Sequence, residues 1–183
     1  MTSAIFTNGQ PWTESEFLEL GETPERIELF DGSLHVTPAP TRRHQYISGE
    51  LFVILRTSAR QVGLHVFTTV NVRLKPNRVP IPDLVITTDG TDGLITDATT
   101  IKLVCEITSP SNAATDRVLK MHYYAAAGIP WYLLVEHDTG TLRLHRLEGD
   151  KYLEHSVTEV GETLQLTEPV VATIKPAELL LPQ

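Results

Sequence analysis

The chain has 183 residues, 41% hydrophobic and 21% charged, enough for one domain with a sizeable core but not comfortably for two. No apolar run approaches the roughly 18 residues of a membrane span, and the opening MTSAIFTNGQPW lacks a basic region followed by an apolar stretch, so a cytoplasmic location is expected. The net charge of −8 weighs against a general polyanion binder, and the single Cys105, set in an apolar run, excludes an internal disulfide and reads as a small buried residue.

Thr13-Glu14-Ser15-Glu16 has the form of a capping box and predicts a short helix from about Glu14 to Leu20. Arg26 to Phe30 and Ser33 to Thr37 flank Asp31-Gly32, a strong hairpin signal. Pro38-Ala39-Pro40 then blocks regular structure, and Thr41 can cap a helix in which Ile47, Leu51, Ile54 and Leu55 recur at helical spacing before Gly63 ends it. From Val66 to Leu74 apolar and polar residues alternate, which predicts one continuous strand.

Two strand-like runs follow, Ile81 to Ile86 and Ile101 to Ile107, joined by a loop around Asp89 to Thr100. Ser109-Pro110-Ser111-Asn112 is turn chemistry, with capping candidates from Ser111 to Thr115, and a second helix runs to about Ala127, closed by Gly128 and Pro130. Trp131 to Glu136 reads as a strand buried on both faces. Thr141 to Leu147 and Tyr152 to Val157 form a hairpin across Glu148-Gly149-Asp150, and the tail from Pro169 adds a short strand and a closing segment around Ala177 to Leu181. The central order of helix, three strands, helix and strand places a mixed sheet between helices, an α/β layered domain.

The chemistry concentrates on two acids 23 positions apart, Asp83 and Glu106. If their runs pair as antiparallel neighbours, the start of the first meets the end of the second, and both carboxylates sit at one end of a two-strand unit. Two hard-oxygen ligands at one spot suit Mg²⁺ or Mn²⁺. Glu106 is the sharper signal, because a lone carboxylate in an apolar run is costly to bury unless paired or metal-bound. Charge distribution adds a second hint. Residues 1–31 carry seven acids and only Arg26 as a base, whereas Arg42 to Arg78 carry seven bases (Arg42, Arg43, Arg56, Arg60, Arg73, Lys75, Arg78) against Glu50. That stretch can bind phosphates or form a solvated face.

Five stretches in order resemble the PD-(D/E)xK nuclease superfamily, and within it the Uma-type branch of restriction-endonuclease-like bacterial proteins. They are Glu28-Leu29-Phe30-Asp31-Gly32; His44 after Pro38-Ala39-Pro40; Pro82-Asp83-Leu84-Val85; Glu106-Ile107-Thr108-Ser109-Pro110-Ser111; and Asp116 to Tyr124 leading to Ala127-Gly128-Ile129-Pro130. The resemblance spans roughly Arg26 to Val135 and implies a restriction-endonuclease-like αβββαβ core at about residues 41–137, within one domain covering 1–183. N-terminal and C-terminal hairpins are added to that core.

The resemblance further implies a hydrolase, a metal-dependent endonuclease cleaving nucleic acid, with DNA the expected substrate, and a homodimer. Asp83 and Glu106 would hold Mg²⁺ or Mn²⁺ with the backbone carbonyl of Ile107, while a cationic side chain stabilises developing charge or orients the water. The sequence departs from the superfamily at Thr108, where a lysine would stand. Lys120 on the following helix is the substitute, or it merely pairs with Asp116 one turn earlier. Glu28 and His44 join the site as a further acidic ligand or a general base, or serve as a hairpin residue and a first-turn helix residue. The alternative function is a non-enzymatic protein on the same fold that binds nucleic acid or a protein partner; hydrolysis of another phosphate ester is a third.

His35, His65, His122, His137, His145 and His155 form no helical pair and have no cysteine partners at zinc spacing. No glycine-rich phosphate loop or nucleophile elbow is present, so Ser109 and Ser111 read as turn and cap residues. Trp131, Tyr132, Tyr123 and Tyr124 are expected to pack the sheet–helix interface.

Overall fold

The computed structural model describes residues 3–5, 10–108 and 114–181. In chain order the elements are β1 (Ser3–Ile5), α1 (Glu14–Glu19), β2 (Arg26–Phe30), β3 (Ser33–Thr37), α2 (Arg42–Gln61), β4 (His65–Thr68), β5 (Asn71–Arg73), β6 (Arg78–Val79), β7 (Leu84–Thr87) and β8 (Ile95–Asp97). Then follow β9 (Ile101–Ile107), α3 (Ala114–Ala126), β10 (Trp131–Val135), β11 (Leu142–Glu148), β12 (Lys151–Thr158), β13 (Leu164–Leu166) and β14 (Ala172–Ile174). No described helix is long and apolar enough to cross a membrane.

The main sheet has six strands in the order β12-β11-β10-β9-β7-β4, with β10 parallel to β9 and the remaining pairs antiparallel. Reading only strands of this sheet, the chain runs α2-β4-β7-β9-α3-β10, the expected αβββαβ core. Strand alternation divides the apolar side chains between two layers. Ile47, Leu51, Leu55 and Ala59, spaced four apart on α2, are fully buried against Leu84, Ile86, Leu103, Cys105 and Leu133. On the opposite face Tyr124 of α3 packs with Val85, Val104, Tyr132 and Leu134. The hairpin β13–β14 closes the first layer through Leu164, Leu166, Ala172 and Ile174.

Local chemistry explains the ends. Thr13 and Glu16 exchange both hydrogen bonds of the capping box, and Thr41 Oγ1 accepts from the His44 N–H at 3.2 Å to cap α2. The β2–β3 turn requires glycine at Gly32: φ is +89°, and an added Cβ would stand 2.6 Å from Pro11 Cβ.

Two expectations need correction. The run from Val66 to Leu74 is two strands, because Thr69 takes φ +54° and turns the chain out of the main sheet; β4 stays in it, while β5 pairs in parallel with β8. The second half gains partners of its own there, with Val72 N–H donating to the Pro80 carbonyl and Asn71 Nδ2 to that of Leu94. Alternation alone does not register such a switch, since Val72 remains buried on both readings. The Asp89–Thr100 connection likewise contains β8 and a short 3₁₀ turn (Ala98–Thr100) rather than bare loop. The tail has its expected short strand, β14, and closing turn (Pro176–Leu179), and β14 pairs with a further strand, β13, that lies before Pro169. The Ser109–Asn112 turn and the caps proposed for α3 from Ser111 to Ala113 lie outside the described residues.

His145 of β11 is only 8% exposed and faces the Tyr132 ring. Burial lowers its pKa below the usual histidine value, with the Glu154 charge opposing. The unfolded chain therefore takes up a proton first as pH falls, so the contribution of neutral His145 to stability is present above about pH 6.5 and declines below it. Urea unfolding between pH 5 and 8 is expected to show a steeper loss of stability on acidification in the wild type than in His145→Asn.

Candidate active site

The site lies where the hairpin β2–β3, the start of α2 and the ends of β7 and β9 meet. Leu84 pairs with Cys105 in antiparallel register, which sets Asp83 level with Glu106 at the same end of the two strands. Asp83 is 2% exposed, yet its carboxylate is well supplied with donors. Arg26 Nη1 donates to Oδ1 at 2.8 Å, the Ile107 N–H donates to Oδ2 at 2.8 Å, and His44 Nε2 lies 3.1 Å from Oδ2. Burial by itself would raise the Asp83 pKa; the His44 hydrogen bond, the Arg26 charge and the Ile107 N–H outweigh it and hold the carboxyl well below the usual range. An ionised carboxylate only accepts, so His44 presents Nε2–H to it.

Alternation on β2 turns Arg26 and Glu28 to the same side, toward the site. Arg26 Nη2 also donates to the Ile81 carbonyl, and Glu28 Oε1 accepts from the Ile81 N–H at 2.7 Å. These two bonds clamp the segment just before Asp83. Lys120 reaches in from α3, donating to Glu28 Oε1 at 2.7 Å, with Glu106 Oε1 at 3.4 Å; Tyr124, one turn later, donates to the same Glu106 oxygen at 2.6 Å. Burial pushes the Glu106 pKa up, partly countered by Lys120. For Lys120 burial acts downward, but the charges of Glu106 and Glu28 prevail and raise its pKa, which keeps it an ammonium.

All five side chains singled out from sequence, Glu28, His44, Asp83, Glu106 and Lys120, thus meet in one hydrogen-bonded cluster. The pairing of Lys120 with Asp116 rests on a side chain outside the described residues. Two members were not picked out. Arg26 appeared only as the lone base of an acidic segment, and its i,i+2 spacing from Glu28 on a strand was the available signal. Tyr124 was assigned to packing, which it also does. The basic stretch is less available than its composition suggested: Arg73 Nε bonds Glu14 at 2.6 Å, and Lys75 and Arg78 both pair with Asp31.

The donor types, the carboxylates of Glu28, Asp83 and Glu106, are those a hard divalent cation takes. An ammonium already lies between Glu28 and Glu106, marking a place where positive charge is stabilised. As the side chains stand, no three His, Cys, Asp or Glu among the described residues enclose an ion; the carboxylates face Arg26 and Lys120 instead.

A mixed sheet between helices, with carboxylates at the ends of two adjacent strands, defines a layered α/β architecture. Residues 14–176 match the Uma2 family, described as "Putative restriction endonuclease", and the chain belongs to that family. Its fold is shared by a crystal structure from Anabaena variabilis ATCC 29413 titled as a putative nuclease belonging to DUF820. The TM-score is 0.76 at 19% identity, over 92% of this chain and 97% of that one. No curated protein matches the sequence.

Arg26→Met leaves the Asp83 carboxylate buried without its guanidinium and is expected to destabilise the fold by about 3–5 kcal/mol. Combining it with Asp83→Asn should recover part of that loss, as a double-mutant cycle by chemical denaturation would read.

Proposed function

We propose that the protein is a divalent-metal-dependent endonuclease acting on DNA. The observation that carries this reading is the level placement of Asp83 and Glu106 on neighbouring strands, with the Lys120 ammonium against Glu106. Asp83, Glu106 and the Ile107 carbonyl are the groups that would hold Mg²⁺ or Mn²⁺. When bound, such an ion supplies a Lewis acid for a phosphoryl oxygen and an acidified water.

The remaining roles fall to the chain's own groups. Lys120, kept charged by Glu28 and Glu106, would stabilise negative charge developing on the phosphorane-like transition state. Glu28 orients that ammonium while clamping Ile81. His44, held by Asp83 through Nε2, would relay or accept a proton through Nδ1, which is buried without a hydrogen-bond partner among the described residues. Arg26 fixes the Asp83 carboxylate without needing to touch substrate. Cleavage of both strands of a duplex would call for two copies in symmetric arrangement.

A second reading, a non-enzymatic protein on this fold, draws on a specific feature: each acid of the cluster already has an internal cationic partner. The two diverge on metal. Calorimetry is expected to show Mn²⁺ binding that disappears in Asp83→Asn, and heat no greater than background would favour the non-enzymatic account.

On plasmid and oligonucleotide substrates, wild type should cleave with Mg²⁺ or Mn²⁺ and stop with EDTA. Glu106→Gln should abolish turnover, and Lys120→Met should slow it by about 10²–10³-fold while leaving DNA affinity near wild type. Intact single- and double-stranded DNA and RNA after incubation with metal-loaded wild type would remove the enzymatic reading.

A further inference from the structure

Beside the acid cluster lies a cavity of about 540 Å³, within the usual range for small-molecule pockets. It is walled by α1, the segment from Gly21 to Ile27, the first turns of α2 and the break at Thr69. It touches the proposed catalytic centre directly, because Arg26, His44 and Ile81 belong to both. None of the roles assigned to the acids uses this space.

Its chemistry is selective. Leu20 and Leu94, large apolar side chains left 37% and 63% exposed, both line it. Exposed apolar residues gathered at a cavity mark a place where a ligand surface leaves water. Gln45, Ser48 and Thr68 add polar groups with no hydrogen bond to other described side chains. Charge argues against an anion. Glu22 and Glu25 line the cavity, and its one Lys or Arg, Arg26, is committed to Asp83 and the Ile81 carbonyl. A small, uncharged, hydrogen-bonding group suits these walls, and beside a site read as a nuclease's the part of the substrate with that chemistry is a base.

We propose that this cavity receives one unstacked nucleobase of the substrate, the phosphate backbone staying outside on the Lys120 side. This rests on the nuclease reading and deepens it: the favoured substrate is DNA with an accessible base, single-stranded, frayed or flipped, rather than closed duplex.

The test uses 2-aminopurine deoxynucleoside, which carries no phosphate, and a single-stranded oligonucleotide with one central 2-aminopurine, both titrated into full-length Glu106→Gln. Saturable fluorescence changes are expected with both probes, weakened at least several-fold by Leu94→Ser and by Gln45→Ala, two exposed positions whose replacement leaves the core intact. Active wild type should also cut the single strand faster than the same sequence as duplex. Cleavage of DNA without nucleoside binding would overturn the cavity assignment and leave the nuclease reading standing. Nucleoside binding without any cleavage would keep the base site and sink the nuclease reading instead. Binding unchanged in both variants, or inorganic phosphate displacing the nucleoside, would overturn the proposal.

Discussion

The buried Asp83 carboxylate is the constraint on which the arrangement turns. A lone ionised carboxylate taken out of water is costly, and here the cost is offset by donors from three separate parts of the chain: Arg26 of β2, His44 of α2 and the Ile107 N–H of β9. Each donor ties its own element to the start of β7. The small hairpin, the long helix and the end of the main sheet are thereby fixed around a single anion. Because truncating one partner leaves the charge exposed to a low-dielectric surrounding, the cluster is coupled in stability as well as in geometry.

The charges of the cluster are shared rather than paired one to one. Glu28, Asp83 and Glu106 stand against Arg26 and Lys120, and the positive groups are shared: the Arg26 charge is raised in pKa by all three acids, burial opposing. Lys120 spans Glu28 and Glu106 rather than serving one of them. A flexible ammonium can withdraw from a carboxylate at 3.4 Å with less disruption than a guanidinium bonded to both a carboxylate and a carbonyl. Arg26 therefore grips Asp83 more firmly than Lys120 grips Glu106, although Lys120 is itself bonded to Glu28 at 2.7 Å.

What the sequence revealed follows from which signals are local. The Asp31-Gly32 turn, the four-residue spacing of Ile47, Leu51 and Leu55, and the apolar run Trp131 to Val135 each reflect forces acting within a few residues, and each element formed where expected. The level of Asp83 with Glu106 is legible because setting the two apolar runs antiparallel brings the start of one against the end of the other, even with a bulge at Ile86 and Thr87. The strand break at Thr69 was not, since it depends on backbone partners at Pro80 and Leu94 that alternation cannot indicate. Arg26 is hard to read for a related reason: its partner Asp83 lies 57 positions away, and its i,i+2 spacing from Glu28 is the one local sign that it faces the site.

Thr108 ties the end of the main sheet to the start of α2. Its N–H donates to the Val135 carbonyl at 2.8 Å, and its Oγ1 accepts from the His137 N–H at 2.9 Å, so it extends the β9–β10 pairing one residue past the strand end. His137 in turn places Nε2 3.2 Å from Thr41 Oγ1, the same oxygen that caps α2 ahead of His44. A lysine at 108 would lose the hydroxyl through which the sheet end grips the helix start, and with it the alignment of His44 on Asp83. Lys120 approaches from the opposite layer, where Tyr124 one turn along α3 anchors the same carboxylate. The strand end thus builds the frame, while the ammonium beside Glu106 comes from α3.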